Sequence, residues 1–210
     1  MARPSDTRER ILVAARDLFI ARGVQQTSLR EIAERLGISK PALYYHFDSR
    51  EALLQSIVLP LIDACNDFIA SNEAVRPLDA RALLAGYFDL LQAHREVLTL
   101  LVRDLSTLGA LGLGARLLDS RRRLIALLSG SQASVADRVR ATIAIGGLSD
   151  SVVEFAEEQA EKIKGAAVEA ACGALGLQPS APSERKRTSS KAVARGLARP
   201  KKRPPAGHDQ

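Results

Sequence analysis

The stretch TSLREIAERLGISKPALYYHFDSREALL, from Thr27 to Leu54, decides the fold because it predicts helix, turn, helix, turn and the start of a third helix. Ser28 and Glu31 have the spacing of a capping box at the start of the first of these helices. Gly37 supplies the backbone freedom of a tight turn, and Ser39 is placed to cap the next helix. The pattern therefore predicts a helix-turn-helix, whose second helix enters the DNA major groove.

The remaining residues of this stretch agree with that interpretation. Pro41 falls in the first turn of the second helix, where a missing backbone N–H costs little. Leu43 and Phe47 are four residues apart and are expected to point inward. Asp48 and Glu51 predict a second capping box, which would start the third helix of the stretch.

The segment LREIAERLGISKPALYYHFDSREALL resembles the DNA-binding domain of the TetR family of bacterial transcriptional regulators. The segment RILVAARDLFIARG, from Arg10 to Gly23, is similar to the first helix of that family. In detail the resemblance covers roughly the first 55 residues. Beyond them only the length and the all-helical pattern agree.

The resemblance assigns DNA contact to the exposed face of the second motif helix and to the starts of its neighbours. Lys40 can reach a guanine edge or a phosphate, and Tyr44 can donate to phosphate oxygens. Arg50 would clamp a phosphate beside a helix N-terminus. The matched residues are Thr27, Ser28, Arg30, Ser39, Lys40, Pro41, Ala42, Tyr44, Tyr45, His46 and Arg50.

Three of these residues also have purely structural interpretations. Tyr45 would pack against the first helix, His46 would form a structural hydrogen bond, and Ser28 would act only as a helix cap. The run as a whole could instead be a helical hairpin that does not bind DNA.

The whole chain of 210 residues has the pattern of an all-α protein, with aromatic residues at 4% and no Trp. Nine helices and no strand are expected. After the motif, helices are predicted over about 49–71, 79–94, 96–107, a stretch ending at 128, 134–156 and 157–173. Pro60 is expected to kink or break the first of these, and the glycine-rich segment 108–117 is expected to be a loop.

Charge and composition suggest three parts. Residues 1–50, the helix-turn-helix DNA-binding domain, have a net charge of +3. Residues 51–177, the helical effector-binding and dimerisation domain, have a net charge of −4. Residues 178–210 have a net charge of +7 and are rich in Pro, Ser, Lys and Arg, which predicts a basic disordered tail. This tail would either add nonspecific phosphate attraction or serve only solubility.

The resemblance also implies a small-molecule pocket and a dimer surface in the second domain. The pocket is predicted to be lined by Phe68, Tyr87, Phe88, Leu91, His94, Leu101, Arg103, Asp104 and Arg121. The dimer surface is predicted to include Gly146, Gly147, Val152, Ala160, Ala167 and Ala171, because slim helices allow close backbone approach. Packing of the same faces within one subunit is the alternative.

Other classes of function are disfavoured. The three histidines lack the spacing of metal ligands, the glycine cluster does not follow a strand, and no catalytic residue or cofactor is expected. No apolar run approaches ~18 residues, so no membrane span is expected. Cys65 and Cys172 lie far apart and suggest a reducing cytoplasm rather than a disulfide framework, with redox sensing a minor alternative.

Taken together, these patterns predict a cytoplasmic transcriptional regulator. We expect a ligand-released repressor that binds a palindromic stretch of double-stranded operator DNA as a homodimer and responds to an unknown small-molecule effector. Activation instead of repression would depend on operator position, which the sequence does not encode. The alternatives are an architectural DNA-binding protein that relies on its basic tail and has no effector, and an enzyme built on a helical scaffold.

Overall fold

The computed structural model describes residues 4–75, 77–103, 109 and 112–178, with side chains from Asp6 onward. Within these ranges the chain forms nine helices and no strand, which confirms the all-α prediction. All described residues belong to one compact unit. The helices are α1 (Pro4–Arg22), α2 (Leu29–Leu36), α3 (Lys40–His46), α4 (Arg50–Glu73), α5 (Ala80–Ala93), α6 (Arg95–Arg103), α7 (Leu113–Ser129), α8 (Val135–Glu154) and α9 (Ala160–Ala174).

Local capping sets the boundaries of the three N-terminal helices. At the start of α2, Ser28 accepts a hydrogen bond from the Glu31 N–H, and the Glu31 carboxylate accepts one from the Ser28 N–H at 2.8 Å. Gly37 ends α2 in the left-handed conformation, at φ 64°. Ser39 accepts a hydrogen bond from the Ala42 N–H and so starts α3, with Pro41 in its first turn. The predicted helix-turn-helix is therefore present.

The start of α4 differs from the prediction. Ser49, and not Asp48, is the N-cap residue, and its hydroxyl accepts a hydrogen bond from the Ala52 N–H at 3.0 Å. The predicted capping box of Asp48 and Glu51 is wrong by one residue. A carboxylate and a hydroxyl at adjacent positions can both cap a helix, and the sequence does not distinguish them.

Helix α4 connects the DNA-binding motif to the remaining helices. It continues through Pro60 as a single helix of 24 residues, so the expected break does not occur. It is also the one described helix whose length and hydropathy would suit a membrane span. Eight of its residues are buried, including Leu53, Ile62 and Ile69, which makes it the core helix of the fold. One hydrophobic core extends across it, from Ile11 in α1 to Cys172 in α9.

The C-terminal helices pack around α4 and α5. Helix α7 packs on α4, α9 packs on both α5 and α8, and α6 contacts α1. Helix α7 begins at Leu113, inside the segment predicted to be a loop. Helix α8 ends at Glu154 and α9 begins at Ala160, three residues later than predicted. The predicted disordered tail lies outside the described residues except for Gln178.

Candidate nucleic-acid interface and ligand cavity

Helix α3 presents an exposed polar and aromatic face to solvent. Leu43 is its one buried residue and anchors the helix to the core. Tyr45 is 83% exposed and Tyr44 is 41% exposed. The Lys40 ammonium lies over the Tyr44 ring, 5.5 Å from its centroid, so the two side chains form one surface. The exposure of Tyr45 rules out its alternative interpretation as a residue packed against α1.

A hollow of about 380 Å³ lies between the starts of α2, α3 and α4. It is lined by Ser28, Leu29, Arg30, Lys40, Tyr44, Asp48, Ser49 and Arg50. The first backbone N–H groups of α2 lack partners within their own helix, and the positive end of the helix dipole lies there. Three cationic side chains and one carboxylate line the hollow, which therefore suits a phosphate group.

Arg50 has a structural role that its position in the sequence did not reveal. Its Nη1 donates to the carbonyl oxygen of Gln25 at 2.9 Å and to those of Val24 and Thr27 at 3.4 Å. The guanidinium thus holds the loop between α1 and α2 in place. Its Nη2 donates to the side-chain Oε1 of Gln25 at 3.4 Å, and the same side chain lines the hollow, so the phosphate clamp stays a prediction.

Thr27 is a correction at this surface. It is 1% exposed, and its hydroxyl donates to the carbonyl oxygen of Gly23 at 2.9 Å. Its side chain therefore stabilises the loop before α2 and does not reach solvent. Ser28, one residue later, is exposed, and it caps α2 while also lining the hollow.

The remaining predicted DNA-contacting residues lie around the exposed face of α3. Arg30 is exposed, but its Nε pairs with the Glu34 carboxylate at 2.7 Å, which raises the pKa of Arg30 and offsets its charge. His46 is half-buried, with its ring edge-on to Tyr45 at 5.2 Å. Ser39 and Pro41 are exposed, and Ala42 is half-buried. Among the described residues, Lys40 forms no ion pair, so its charge remains available to an anion.

A second concave site lies between α4, α5, α6, α7 and α8. This cavity has a volume of about 230 Å³ and is mostly apolar. Three of the predicted pocket residues line it: Tyr87, Leu91 and Arg121. The sequence prediction missed Leu61, Cys65, Ile69, Leu98, Val102, Leu117, Leu118, Ser120, Leu124, Ser149, Asp150 and Val153. The helical periodicity marked several of them as apolar, but no local signal shows which helices enclose a common space.

Most of the other predicted pocket residues lie elsewhere. Phe88 is fully buried in the core, Leu101 is 7% exposed, and Phe68 packs against the ring of Tyr87 at 6.0 Å. His94 ends α5 outside the cavity. Arg103 donates through Nη1 to the Ile20 carbonyl oxygen at 2.8 Å and so contacts α1. Asp104 lies outside the described residues.

Two of the residues that line the cavity, Cys65 and Tyr87, stay uncharged near neutral pH. Burial raises the pKa of the Cys65 thiol to about 11. The pKa of Tyr87 is raised to about 12, chiefly by burial, and a hydrogen bond with Ser149 and the charge of Arg121 act in the opposite direction. Both cysteines are free and buried. A redox-sensing cysteine needs a lowered pKa and exposure, so Cys65 does not fit that role.

Helix α6 lines the cavity and also contacts α1. Leu98 and Val102 face the cavity, while Glu96 pairs with Arg16 of α1 at 2.6 Å. The Arg103 contact with α1 lies at the other end of the same helix. A movement of α6 would therefore act on α1, and through α1 on α2, against which α1 packs.

Helices α8 and α9 carry a large exposed apolar surface. On α8 and the turn after it, Val135, Val139, Ile143, Gly147, Ser151 and Phe155 recur at intervals of four residues, and Ile143 is 59% exposed. A depression of about 380 Å³ beside Phe155 extends this surface to α9 and is lined by small residues such as Ala166 and Ala170. Clustered exposed apolar residues are a common feature of protein–protein contact sites. We refer to these residues of α8 and α9 as the α8–α9 face.

Several residues predicted for the dimer surface lie inside the subunit instead. Val152 is 0% and Ala171 is 4% exposed, because both face the core between α8 and α9. Ala167 is 8% exposed, and it also lines the depression of the α8–α9 face. Ala160 is half-buried at the first position of α9. Packing within the subunit, the alternative interpretation, therefore accounts for Val152 and Ala171.

The two adjacent glycines of α8 have different surroundings. A Cβ atom at Gly146 would lie 3.1 Å from Nη2 of Arg121, so this glycine makes room for a side chain of the same subunit. A Cβ at Gly147 would meet nothing within 4 Å, and this residue is exposed on the α8–α9 face. Close approach at Gly146 is therefore intramolecular, and only Gly147 remains available to a second subunit.

Comparison with known proteins agrees with this geometry. Residues 11–57 match the family model of the bacterial regulatory proteins of the tetR family. The HTH-type transcriptional repressor BepR of Brucella suis is 44% identical over 57 residues, which are 27% of this chain and 27% of BepR. The probable HTH-type transcriptional regulator ArpR of Pseudomonas putida is 34% identical over 92 residues, 44% of this chain and 43% of ArpR. The matches therefore span less than half the length of these relatives.

The likeness to solved structures extends over most of the chain. A transcriptional regulator from Aquifex aeolicus is 25% identical and superposes with a TM-score of 0.64, covering 78% of this chain and 96% of that one. The TetR-family regulator PfmR of Thermus thermophilus is 22% identical, with a TM-score of 0.62 and coverage of 80% and 98%, and shares the fold.

The fold and the exposed helix of the helix-turn-helix are those of DNA-binding regulatory proteins. Residues 11–57 match the tetR family of bacterial regulatory proteins, and the described helices share the fold of solved TetR-family structures.

Proposed function

We propose that this chain is a cytoplasmic transcriptional repressor that binds a palindromic operator as a homodimer and leaves it when a small ligand occupies the central cavity. The observation that carries the proposal is the exposed face of α3, where Tyr45 is 83% exposed beside a cationic hollow. The repressor role is extended from the name of the Brucella suis relative.

Operator reading depends on two copies of α3. Lys40 and Ala42 can reach base edges, and Tyr44 together with the hollow at the start of α2 can hold the phosphates on either side. Two recognition helices about 34–36 Å apart enter successive major grooves on one side of the duplex. Twofold symmetry of the protein then requires an inverted repeat in the operator.

The α8–α9 face supports dimerisation. Its Val139, Ile143 and Phe155 are each at least 50% exposed, which leaves apolar area that a second subunit can cover. Gly147 allows a facing helix to approach closely, and it is not needed for packing within the subunit. Two copies of α8 and α9 would form a four-helix interface.

The position of α6 supports release of the operator when a ligand binds. A ligand in the cavity would press on Leu98 and Val102, and the contacts of Glu96 and Arg103 would transmit the shift to α1. Helix α4 provides a second connection, because it begins at the motif and lines the cavity. A ligand that favours a spacing of the two α3 helices unlike that of the operator weakens operator binding, and the operator weakens ligand binding by the same factor.

The test is selection of bound sites from a random DNA pool with the full-length chain at 50 mM and 300 mM salt, beside a variant ending at Leu177. The proposal predicts one inverted repeat that is selected at both salt concentrations by both proteins. Sequence-indifferent enrichment that disappears at high salt, or in the shortened variant, would instead support the architectural alternative.

A further inference from the structure

We propose that the cavity recognises a small amphipathic acid, whose carboxylate is bound by Arg121 and Tyr87 and whose apolar part lies among the leucines of α4, α6 and α7. This inference rests on the proposed function, because it names the chemical class of the effector of the same site.

The first argument is the ion pairing of the arginines on α7. Arg116 pairs with Asp63 at 3.5 Å and Arg123 pairs with Glu73 at 3.0 Å, both across to α4. Arg121 lies between them in the sequence, is half-buried, and lines the cavity. It takes part in none of the ion pairs between described residues. A guanidinium on a largely apolar wall is stabilised by an anion, and a carboxylate matches its planar fork of donors.

The second argument is the space that Gly146 leaves for this guanidinium. A Cβ atom at position 146 would lie 3.1 Å from Nη2 of Arg121, closer than ordinary packing allows. A glycine in the middle of a helix is unfavourable relative to alanine, and here it permits the guanidinium to lie against the α8 backbone. The guanidinium therefore lies close to the main chain of a neighbouring helix.

The third argument is the presence of a neutral donor beside Arg121. Tyr87 is 9% exposed, lines the same cavity, and interacts with Ser149 of α8. The Ser149 hydroxyl donates to the Ile145 carbonyl oxygen at 2.8 Å, so the Tyr87 phenol is the donor toward Ser149. The phenol is protonated at physiological pH, and turning its O–H from Ser149 to the ligand lets it donate a hydrogen bond to a carboxylate oxygen. Arg121 and Tyr87 thus form a polar end in an otherwise mostly apolar cavity.

Among the described residues, Asp150 is the one acidic residue that lines the cavity, and it would favour an amine instead. It is exposed, whereas Arg121 is half-buried, so water already solvates the Asp150 carboxylate. The more deeply placed charge has more to gain from a partner. The volume of 230 Å³ is below the ~300–1,000 Å³ usual for sites of drug-sized ligands, which limits the acid to a short chain or a single ring.

The test uses three probes of equal chain length, hexanoate, 1-hexanol and hexylamine, titrated calorimetrically into the full-length chain. We expect hexanoate to bind at least about tenfold more tightly than the other two. Arg121→Gln should weaken hexanoate about 10-fold to 100-fold without changing hexanol binding. Arg122→Gln, an exposed neighbour on the same helix, is the matched control and should change nothing.

A second variant keeps the test informative if Arg121→Gln does not fold. Gly146→Ala adds one methyl group that displaces the guanidinium while favouring the helix, so it should melt no lower than the native chain and still weaken hexanoate binding severalfold. Tighter binding of hexylamine, equal binding of all three probes, or no binding of any probe would overturn the inference. Operator binding without ligand is measured separately, so loss of the acid site and loss of DNA recognition remain distinguishable.

Discussion

The two ends of this molecule differ in how their sites are built. The DNA-binding surface is formed by residues close in the sequence, with caps that join Ser28 to Glu31 and Ser39 to Ala42. The cavity is formed by five helices, and its residues extend from Leu61 to Val153. A site built from local contacts can change its surface residues without loss of fold, whereas the cavity depends on how distant helices pack.

The largest effect is expected from separating the two subunits. Ile143→Arg places a charge in the centre of the α8–α9 face, so the chain should become a monomer and bind its selected operator about 100-fold to 10,000-fold more weakly. Light scattering gives the mass, and fluorescence anisotropy gives the affinity. Ala126→Arg, on the exposed side of α7, is the matched control. A dimeric Ile143→Arg variant would show that the α8–α9 face is not the dimer interface.

The next effect concerns the DNA-binding end alone. Tyr44→Ala removes the ring that lies beside Lys40 and lines the hollow, so operator affinity should fall roughly 10-fold to 100-fold while the dimer and its melting temperature are unchanged. Tyr44→Phe, which retains the ring, separates the contribution of the hydroxyl. Unchanged operator affinity of the alanine variant would mean that the face of α3 with Tyr44 does not contact DNA.

A smaller effect tests the connection between the two ends. Glu96→Gln removes the 2.6 Å ion pair with Arg16. Effectors typically change the affinity of a second ligand about 5-fold to 150-fold. We expect the variant to reduce the factor by which hexanoate weakens operator binding severalfold. The ratio of operator dissociation constants with and without hexanoate measures this factor. Glu73→Gln removes the comparable pair with Arg123 away from α1 and should leave the ratio as it is. An equal change of this ratio in both variants would argue against α6 as the connection between the cavity and α1.

The smallest effect is on stability at the DNA-binding end. Ser28→Ala removes the α2 cap and should lower the free energy of unfolding by about 1 kcal/mol at pH 7, as measured by urea denaturation. Hydrogen bonds from Ser28 hold the pKa of Glu31 below its ordinary 4.5. This part of the stabilisation is complete above the unfolded pKa and is lost as the pH falls through the folded one. The variant keeps the bond from the backbone N–H of residue 28 to Glu31, so the difference in unfolding free energy between the two proteins should shrink in acid only by the contribution of the hydroxyl bond to the Glu31 carboxylate.

Ser71→Ala is the control for that series. Its hydroxyl donates to the Asp67 carbonyl oxygen within α4 and caps no helix terminus, so the stability of this variant should be close to that of the native chain at every pH. The free energy of unfolding of Ser28→Ala is compared with that of the native chain at each pH. If this difference does not shrink in acid, the cap acts without Glu31.

The same contrast explains what the sequence could predict. Ser28, Gly37 and Ser39 marked the DNA-binding helices because capping and turn geometry depend on residues three or four positions apart. The sequence could not show that Thr27 is buried, since its hydroxyl bonds a carbonyl on the preceding turn, or that Arg50 holds the loop before α2.

Among the C-terminal helices, periodicity identified the apolar faces but not their partners. Tyr87, Leu91 and Arg121 line the cavity, whereas Phe88 and Leu101 belong to the core. Cavity-lining and core residues cannot be told apart in the sequence, because a cavity wall and a core are built from the same apolar side chains. The adjacent glycines of α8 were likewise indistinguishable, although Arg121 occupies the space beside Gly146 and nothing lies beside Gly147.

The most direct test of the central claim is the mass and footprint of the complex with a selected operator. The account predicts two protomers on one inverted repeat, with protection of successive major grooves on one side of the duplex and no protection for Tyr44→Ala. One protomer per site, or protection that spreads along the fragment regardless of sequence, would contradict it.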